Sequence, residues 1–209
     1  MKRSEINRVI ARALACFQTH GWALPPSPQW DVTDFGLGDF SRCGAVLVNL
    51  TLEKEYSEKL IYLTCRQTIP CHGHRKKKED VIARFGAFSI QVWFGDPKKW
   101  DRGGVLQINN KKKTIASGAV FHLIAGERVT LEPGVYHAFW ALGEEAILGE
   151  VSTKNDDLHD NFFTDPKIGR FPAIEEDEPP LVRLTGERTS SRDKHAKRHP
   201  TASTKASSG

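Results

Sequence analysis

The chain has 209 residues, of which 39% are hydrophobic and 27% charged. That length suits one domain with a sizeable core, and no apolar run approaches the ~18 residues of a membrane helix. The formal charge of +4 is local: residues 181–209 hold seven Lys/Arg against two acids, a net of +5, so residues 1–180 carry −1. No nucleic-acid partner is therefore expected for the folded part, since binding to phosphate backbones needs clustered basic charge.

The first segment, MKRSEINRVIARALACF, sets Lys2 and Arg3 before an apolar stretch, but Glu5, Asn7, Arg8 and Arg12 interrupt any signal-peptide core. Ile6, Val9, Ile10, Ala13, Leu14 and Phe17 recur at helical spacing. The spacing predicts an amphipathic helix over 4–20, with Ser4 near its N-cap and Gly21 ending it. A cytoplasmic protein without a membrane partner is expected. Cys16, Cys43, Cys65 and Cys71 form no CxxC and too sparse a set for a disulfide framework, so they read as reduced thiols.

After the Pro-rich crossing GWALPPSPQW the texture changes. Short runs rich in Val, Ile, Leu, Thr and Phe follow one another: 44–52, 59–69, 87–94, 103–108, 113–117, 119–124, 127–133, 137–142 and 146–153, with Gly, Asp, Asn and Pro between them. Many short strands with turn signals indicate an all-β sandwich or barrel, and NNKKK at 109–113 reads as a hairpin tip. Beyond it come a loop-rich closing segment and, from 181, a Ser/Thr/Lys/Arg-rich stretch that reads as a disordered tail.

One stretch, CHGHRKKKEDVIARFG (71–86), carries the chemistry. Alternate residues of a strand share a face, so His72 and His74 project together while Gly73 points the other way. Glu79 follows across a turn formed by Arg75–Lys78, which reads as solvated. Two imidazoles and a carboxylate make the two-histidine, one-carboxylate metal arrangement. His137, after the Pro133–Gly134 turn, supplies a possible fourth ligand, and the set suits Mn, Fe, Co, Ni or Zn.

His72-x-His74-x4-Glu79-x6-Gly86 resembles the first cupin motif, and Gly126, Pro133, Gly134 and His137 resemble the second. Glu132 and Ala141 depart from it at non-ligand positions. Segments 30–48, 57–86, 129–141, 149–163 and 168–178 further resemble the D-lyxose isomerases, manganese-dependent cupin sugar isomerases, across residues 1–178 in the same order. The resemblance implies a cupin fold (a double-stranded β-helix, or jelly-roll barrel) with an N-terminal helix: a barrel over about 31–153, a closing segment over 154–180, and a basic tail outside it. By analogy with small cupins a homodimer is expected.

The resemblance further implies a Mn²⁺ ion, replaceable by Co²⁺, Fe²⁺, Ni²⁺ or Zn²⁺, and a small sugar substrate. D-Lyxose and D-xylulose would interconvert, with D-mannose and D-fructose as a second pair. Such chemistry needs a carboxylate to carry a proton between C1 and C2. Glu150, 13 residues past His137 among strand apolar residues, is the expected base. Lys59 is expected in the pocket and Asp160 beside it, binding a hydroxyl or assisting proton transfer. Arg170, in IGRFP, is expected to anchor the closing segment. Two other outcomes share the scaffold: an iron dioxygenase with the same ligands, and a sugar-binding cupin without turnover that could dispense with Glu150.

Overall fold

Ile6, Ile10, Ala13, Cys16 and Phe17 form one buried stripe, and this stripe makes the N-terminal segment a helix, α1 (Arg3–Thr19). Lys2 occupies the N-cap without a side-chain hydrogen bond, so the expected capping role of Ser4 is not realised. Ser4 instead donates to Asp177 in the closing segment. At the other end Gly21 turns to φ +74°, the Gly21 N–H bonds to Gln18 and the Trp22 N–H to Phe17, closing the helix with a Schellman motif.

This computed structural model describes residues 1–96, 99, 102–156, 159–169 and 174–187. Beyond α1 the described chain is strand and loop. β1 (Gln29–Thr33), β2 (Ala45–Leu52), β3 (Tyr56–Thr64), β4 (Thr68–Gly73), β5 (Glu79–Phe85) and β6 (Ala87–Phe94) are followed by the hairpin β7 (Gly104–Ile108) and β8 (Lys111–Ile115). Then come β9 (Val120–Ile124), β10 (Arg128–Leu131), β11 (Val135–Ala141), β12 (Glu145–Thr153) and the short β13 (Phe162–Phe163). One sheet runs β1-β2-β3-β12-β5-β10-β7-β8 and the other β13-β4-β11-β6-β9, all pairs antiparallel. The β7–β8 turn is Asn109–Asn110, both at positive φ as a type I′ turn requires, so Lys111–Lys113 belong to the strand rather than the tip.

The two faces of the larger sheet have different partners. Val46, Val48, Leu60, Tyr62 and Ile147 face α1. Ala45, Ile61, Leu63, Val81, Ala83, Ala146 and Leu148 face the small sheet, where Ile69, Phe88, Ile90, Val92 and Phe139 meet them. Strand parity then decides the site: Lys59 shares a face with Ile61, Glu79 with Val81, and Glu150 with Leu148. All three point into the barrel.

The run 59–69 reads as one strand in the sequence, yet the structure divides it between β3 and β4. Arg66 adopts φ +58°, and the buried Gln67 side chain accepts from the Thr64 N–H and donates to the Phe40 carbonyl. These bonds hold the crossing from one sheet to the other. β4 then bulges opposite His137–Phe139 of β11, which sets Ile69 and His72 on the same inward face despite their odd separation.

The closing segment is tied down over a longer span than the sequence reading expects. The Arg3 N–H bonds to the Glu175 carbonyl and the Glu175 N–H to that of Met1. Arg3, almost fully buried, pairs with Glu176 at 2.7 Å and Glu187 at 2.5 Å. Leu184 is buried in the α1 core, and the Thr185 N–H bonds to the Trp30 carbonyl. Folded structure thus continues from 180 to Glu187; the rest of the expected tail, 188–209, and Arg170 lie outside the described residues. The four cysteines are free thiols, and no helix among the described residues is long and apolar enough to cross a membrane.

Candidate metal centre and catalytic cavity

His72, His74 and His137 are buried, and one ring nitrogen from each lies within 4.8 Å of the others. β4 and β11 bring them together, with His137 paired to His72 across the ladder. Gly73 between the first two packs closely: a Cβ there would sit 3.0 Å from the Tyr136 ring, which would have to shift. The backbone of His74, just past β4, accepts the Gly134 N–H at 2.7 Å.

Hydrogen bonds decide which nitrogens converge. His72 Nδ1 lies 2.8 Å from the Pro70 carbonyl, His74 Nδ1 2.5 Å from the Asp160 carbonyl and His137 Nδ1 3.3 Å from the Val135 carbonyl. A carbonyl only accepts, so each Nδ1 carries the proton and each Nε2 presents a lone pair. Burial, joined by the neighbouring histidines, holds His72 well below the usual imidazole range, and burial likewise lowers His74. Neutral imidazoles with aligned lone pairs are what a metal requires.

Glu79, at the start of β5, completes the donor set. Its Oε1 lies 3.1 Å from His137 Nε2 and 3.7 Å from His74 Nε2. His74 Nε2 and Glu79 Oε1 are buried without a hydrogen bond of good geometry. Buried polar atoms of that kind are costly unless something else binds them. The donor chemistry and the two orphaned atoms therefore fit a divalent metal.

Above these residues opens a cavity, about 450 Å³ of empty space when its solvent-open mouth is counted. Its polar wall comprises Thr33, Lys59, Lys77, Glu150 and Asn161; Phe35, Ile69, Phe139 and Phe163 supply an apolar side. Phe139 also stacks on His137 at 5.9 Å between ring centroids.

Lys59 and Glu150 lie opposite each other in the β3–β12 register. Lys59 Nζ is 3.6 Å from Glu150 Oε1 and donates to Asn155 Oδ1 at 3.0 Å. Glu150 also accepts from Lys77 Nζ at 3.0 Å, and Lys77 reaches Glu79 Oε2 at 2.7 Å. A chain of alternating charge thus joins Lys59 to Glu150, Lys77 and Glu79. Burial opposes the charge on Glu79 and on Glu150, but Lys77 beside Glu79, and Lys59 with Lys77 beside Glu150, outweigh it and hold both carboxyls below the ordinary range. Burial also works against the Lys77 ammonium, and its two carboxylate partners more than offset it.

Lys77 corrects the reading of Arg75–Lys78 as a solvated turn. Its side chain is only 4% exposed, and it joins Glu79 to Glu150. One signal in the sequence pointed to it: Lys77 stands two residues before Glu79, the spacing that places residues on one strand face. Asp160 differs from expectation in another way. It does not line the cavity. Its Oδ1 accepts the N–H groups of Arg75 (2.9 Å) and Lys76 (3.2 Å), and its Oδ2 those of Lys76 (3.1 Å) and Lys77 (2.8 Å).

A barrel of two antiparallel sheets, with three histidines and a glutamate gathered inside it, defines the class as a cupin with a candidate metal centre. The chain belongs to the D-lyxose isomerase family, whose model matches residues 28–187. It is 37% identical to the D-lyxose/D-mannose isomerase of Serratia proteamaculans, over 90% of this chain and 97% of that one. It is 33% identical to the D-lyxose/D-mannose isomerase of Escherichia coli O157:H7, over 90% and 98%. The L-ribose isomerase of Geodermatophilus obscurus shares the fold, with a TM-score of 0.65 at 18% identity over 84% of this chain and 98% of that one. The protein is thus an aldose–ketose isomerase of sugars.

Proposed function

We propose that the protein is a divalent-metal isomerase, with Mn²⁺ as the preferred ion, that interconverts D-lyxose with D-xylulose and D-mannose with D-fructose. His72, His74, Glu79 and His137 would hold the metal, which when bound acidifies the substrate C–H and offsets the charge of the enediolate. The observation that carries this reading is the placement of Glu150 beside two ammonium groups on the wall of the same cavity that His72 and His74 line.

In the forward direction one hydrogen leaves C2 and one arrives at C1, while a proton passes from O2 to O1. Glu150 is kept ionised by Lys59 and Lys77, so it is ready to take the C2 proton and return it to C1. Lys59, on the cavity wall and tied to Asn155, binds a substrate hydroxyl. Lys77 donates toward a substrate oxygen and keeps Glu150 turned to the reacting carbons. The apolar side of Phe35, Phe139 and Phe163 gives the C–H face of the sugar a dry surface.

The alternating Lys–Glu chain favours this reading over an oxygenase, which needs no proton carrier opposite its metal, and over a binding protein, which needs no buried ionised base. Purified protein treated with EDTA should lose ketose formation from a panel of aldopentoses and aldohexoses, and Mn²⁺ should restore it better than Zn²⁺ or Mg²⁺. Turnover undiminished in the metal-free protein would remove the metal from the mechanism. A homodimer is part of the same proposal, checked by sedimentation velocity.

A further inference from the structure

Asp160 stands at a junction that proton transfer does not use. Its carboxylate holds three consecutive backbone N–H groups, those of Arg75, Lys76 and Lys77, through four contacts of 2.8–3.2 Å. A carboxylate offers about four lone-pair positions. Three main-chain donors, one of them shared between the two oxygens, engage this carboxylate, which does not line the cavity. The carbonyl of the same residue fixes the His74 Nδ1 proton. Its own N–H bonds to the Asp156 carbonyl, and the adjoining Phe162–Phe163 strand pairs with Gly73 and His72. One buried residue of the closing segment therefore grips both sides of the link between two metal-ligand candidates, His74 and Glu79. That link also carries Lys77.

We infer that Asp160 is a positioning residue, through which docking of the closing segment sets His74 and Lys77 and so governs metal affinity without touching the metal. The inference rests on the metal-site reading above. It differs from a proton-transfer role, which would leave metal binding alone, and from an ordinary turn cap, which would affect only stability. Residues behind a ligand commonly change metal affinity about 10- to 100-fold when altered. Asp160 acts on one ligand directly and on the chain leading to another, so an effect in that range is expected.

The test is Asp160→Asn in the full chain, which keeps size and shape but turns an NH₂ group against backbone donors. Mn²⁺ affinity is measured without sugar by electron paramagnetic resonance, beside wild type, with amide exchange followed by mass spectrometry. Expected are a Kd raised about 10- to 100-fold and faster exchange across residues 74–78, with β3 and β12 unchanged. An unchanged Kd overturns the inference, whether kcat or only Tm falls. Wild type that binds no Mn²⁺ defeats the metal reading itself, and exchange at 74–78 then judges the clamp separately: equal rates in the variant refute it. Should the variant not fold, wild type decides. Mn²⁺ must slow exchange in 74–78 and 159–163 together, and slowing in one segment alone refutes the coupling.

Discussion

Lys77→Met is the sharpest test of the charge chain inside the barrel. Methionine matches the length of the lysine stem, so the packing survives while the ammonium is lost. In the wild type that ammonium lies 2.7 Å from Glu79 and 3.0 Å from Glu150, with all three side chains under 10% exposed. Its loss leaves Glu150 with Lys59 at 3.6 Å and Glu79 with neutral imidazoles. Stripping one partner from a buried pair costs about 3–5 kcal/mol. In a chain of this size each kcal/mol moves Tm by roughly 2–4 °C, so metal-free Lys77→Met should melt on the order of 10 °C below metal-free wild type.

The deficit has a direction with pH. In wild type both carboxyls titrate below their ordinary 4.5, so their pairing is complete above that value and is lost only as pH falls through the folded-state values. Without Lys77 the uncompensated carboxyl shifts above 4.5 in the folded protein, so its cost is absent in acid and grows as pH rises. Calorimetry at about pH 5 and about pH 8 should therefore show the larger deficit at the higher pH. At saturating Mn²⁺, kcat should fall about 10²–10³-fold, the usual effect of removing one preorganised donor. A variant with unchanged Tm at both pH values would show that Lys77 is not paired as described.

Two further variants separate chemistry from scaffold. Glu150→Gln should bind Mn²⁺ as wild type does, by electron paramagnetic resonance, while kcat falls about 10²–10⁴-fold; near-normal turnover would remove it from the base role. A chain ended after Glu187 should match the full chain in kcat and Tm. One ended after Pro180 loses the buried Leu184 and the Glu187 partner of Arg3, and should lose about 2–5 kcal/mol in urea unfolding. Equal stability of the two truncations would show that residues 181–187 do not hold α1.

What the sequence revealed follows strand parity and motif spacing. His72, His74, Glu79 and His137 were legible because each lies in a short pattern whose turn residues and alternation say which way it faces. Lys59 and Glu150 were placed by resemblance, and parity with Ile61 and Leu148 gives the physical reason they point inward. Features set by distant contacts were hidden. Only its parity with Glu79 sets Lys77 apart from its basic neighbours in the sequence, and the contact that fixes its backbone comes from Asp160, 83 residues on. The break between β3 and β4 depends on Gln67 reaching Phe40, 27 residues back. Leu184 reads as a lone apolar residue in a polar stretch, and only the α1 surface explains it.

The hidden contacts also explain how the barrel folds around so many ionisable groups. Two ammoniums and two carboxylates alternate along one chain of contacts, so the buried set is neutral before any metal arrives. Four isolated charges there would each cost several kcal/mol. His72 and His74, kept neutral by burial, add donors without adding charge. A divalent cation held by the histidines and Glu79, as proposed, would add an excess of +2 next to the cavity, which negative charge developing on a sugar as its C–H breaks would offset. On that proposal, preference for the transition state would follow from the balance of the four charged side chains, and Lys77 keeps that balance through Glu79 and Glu150.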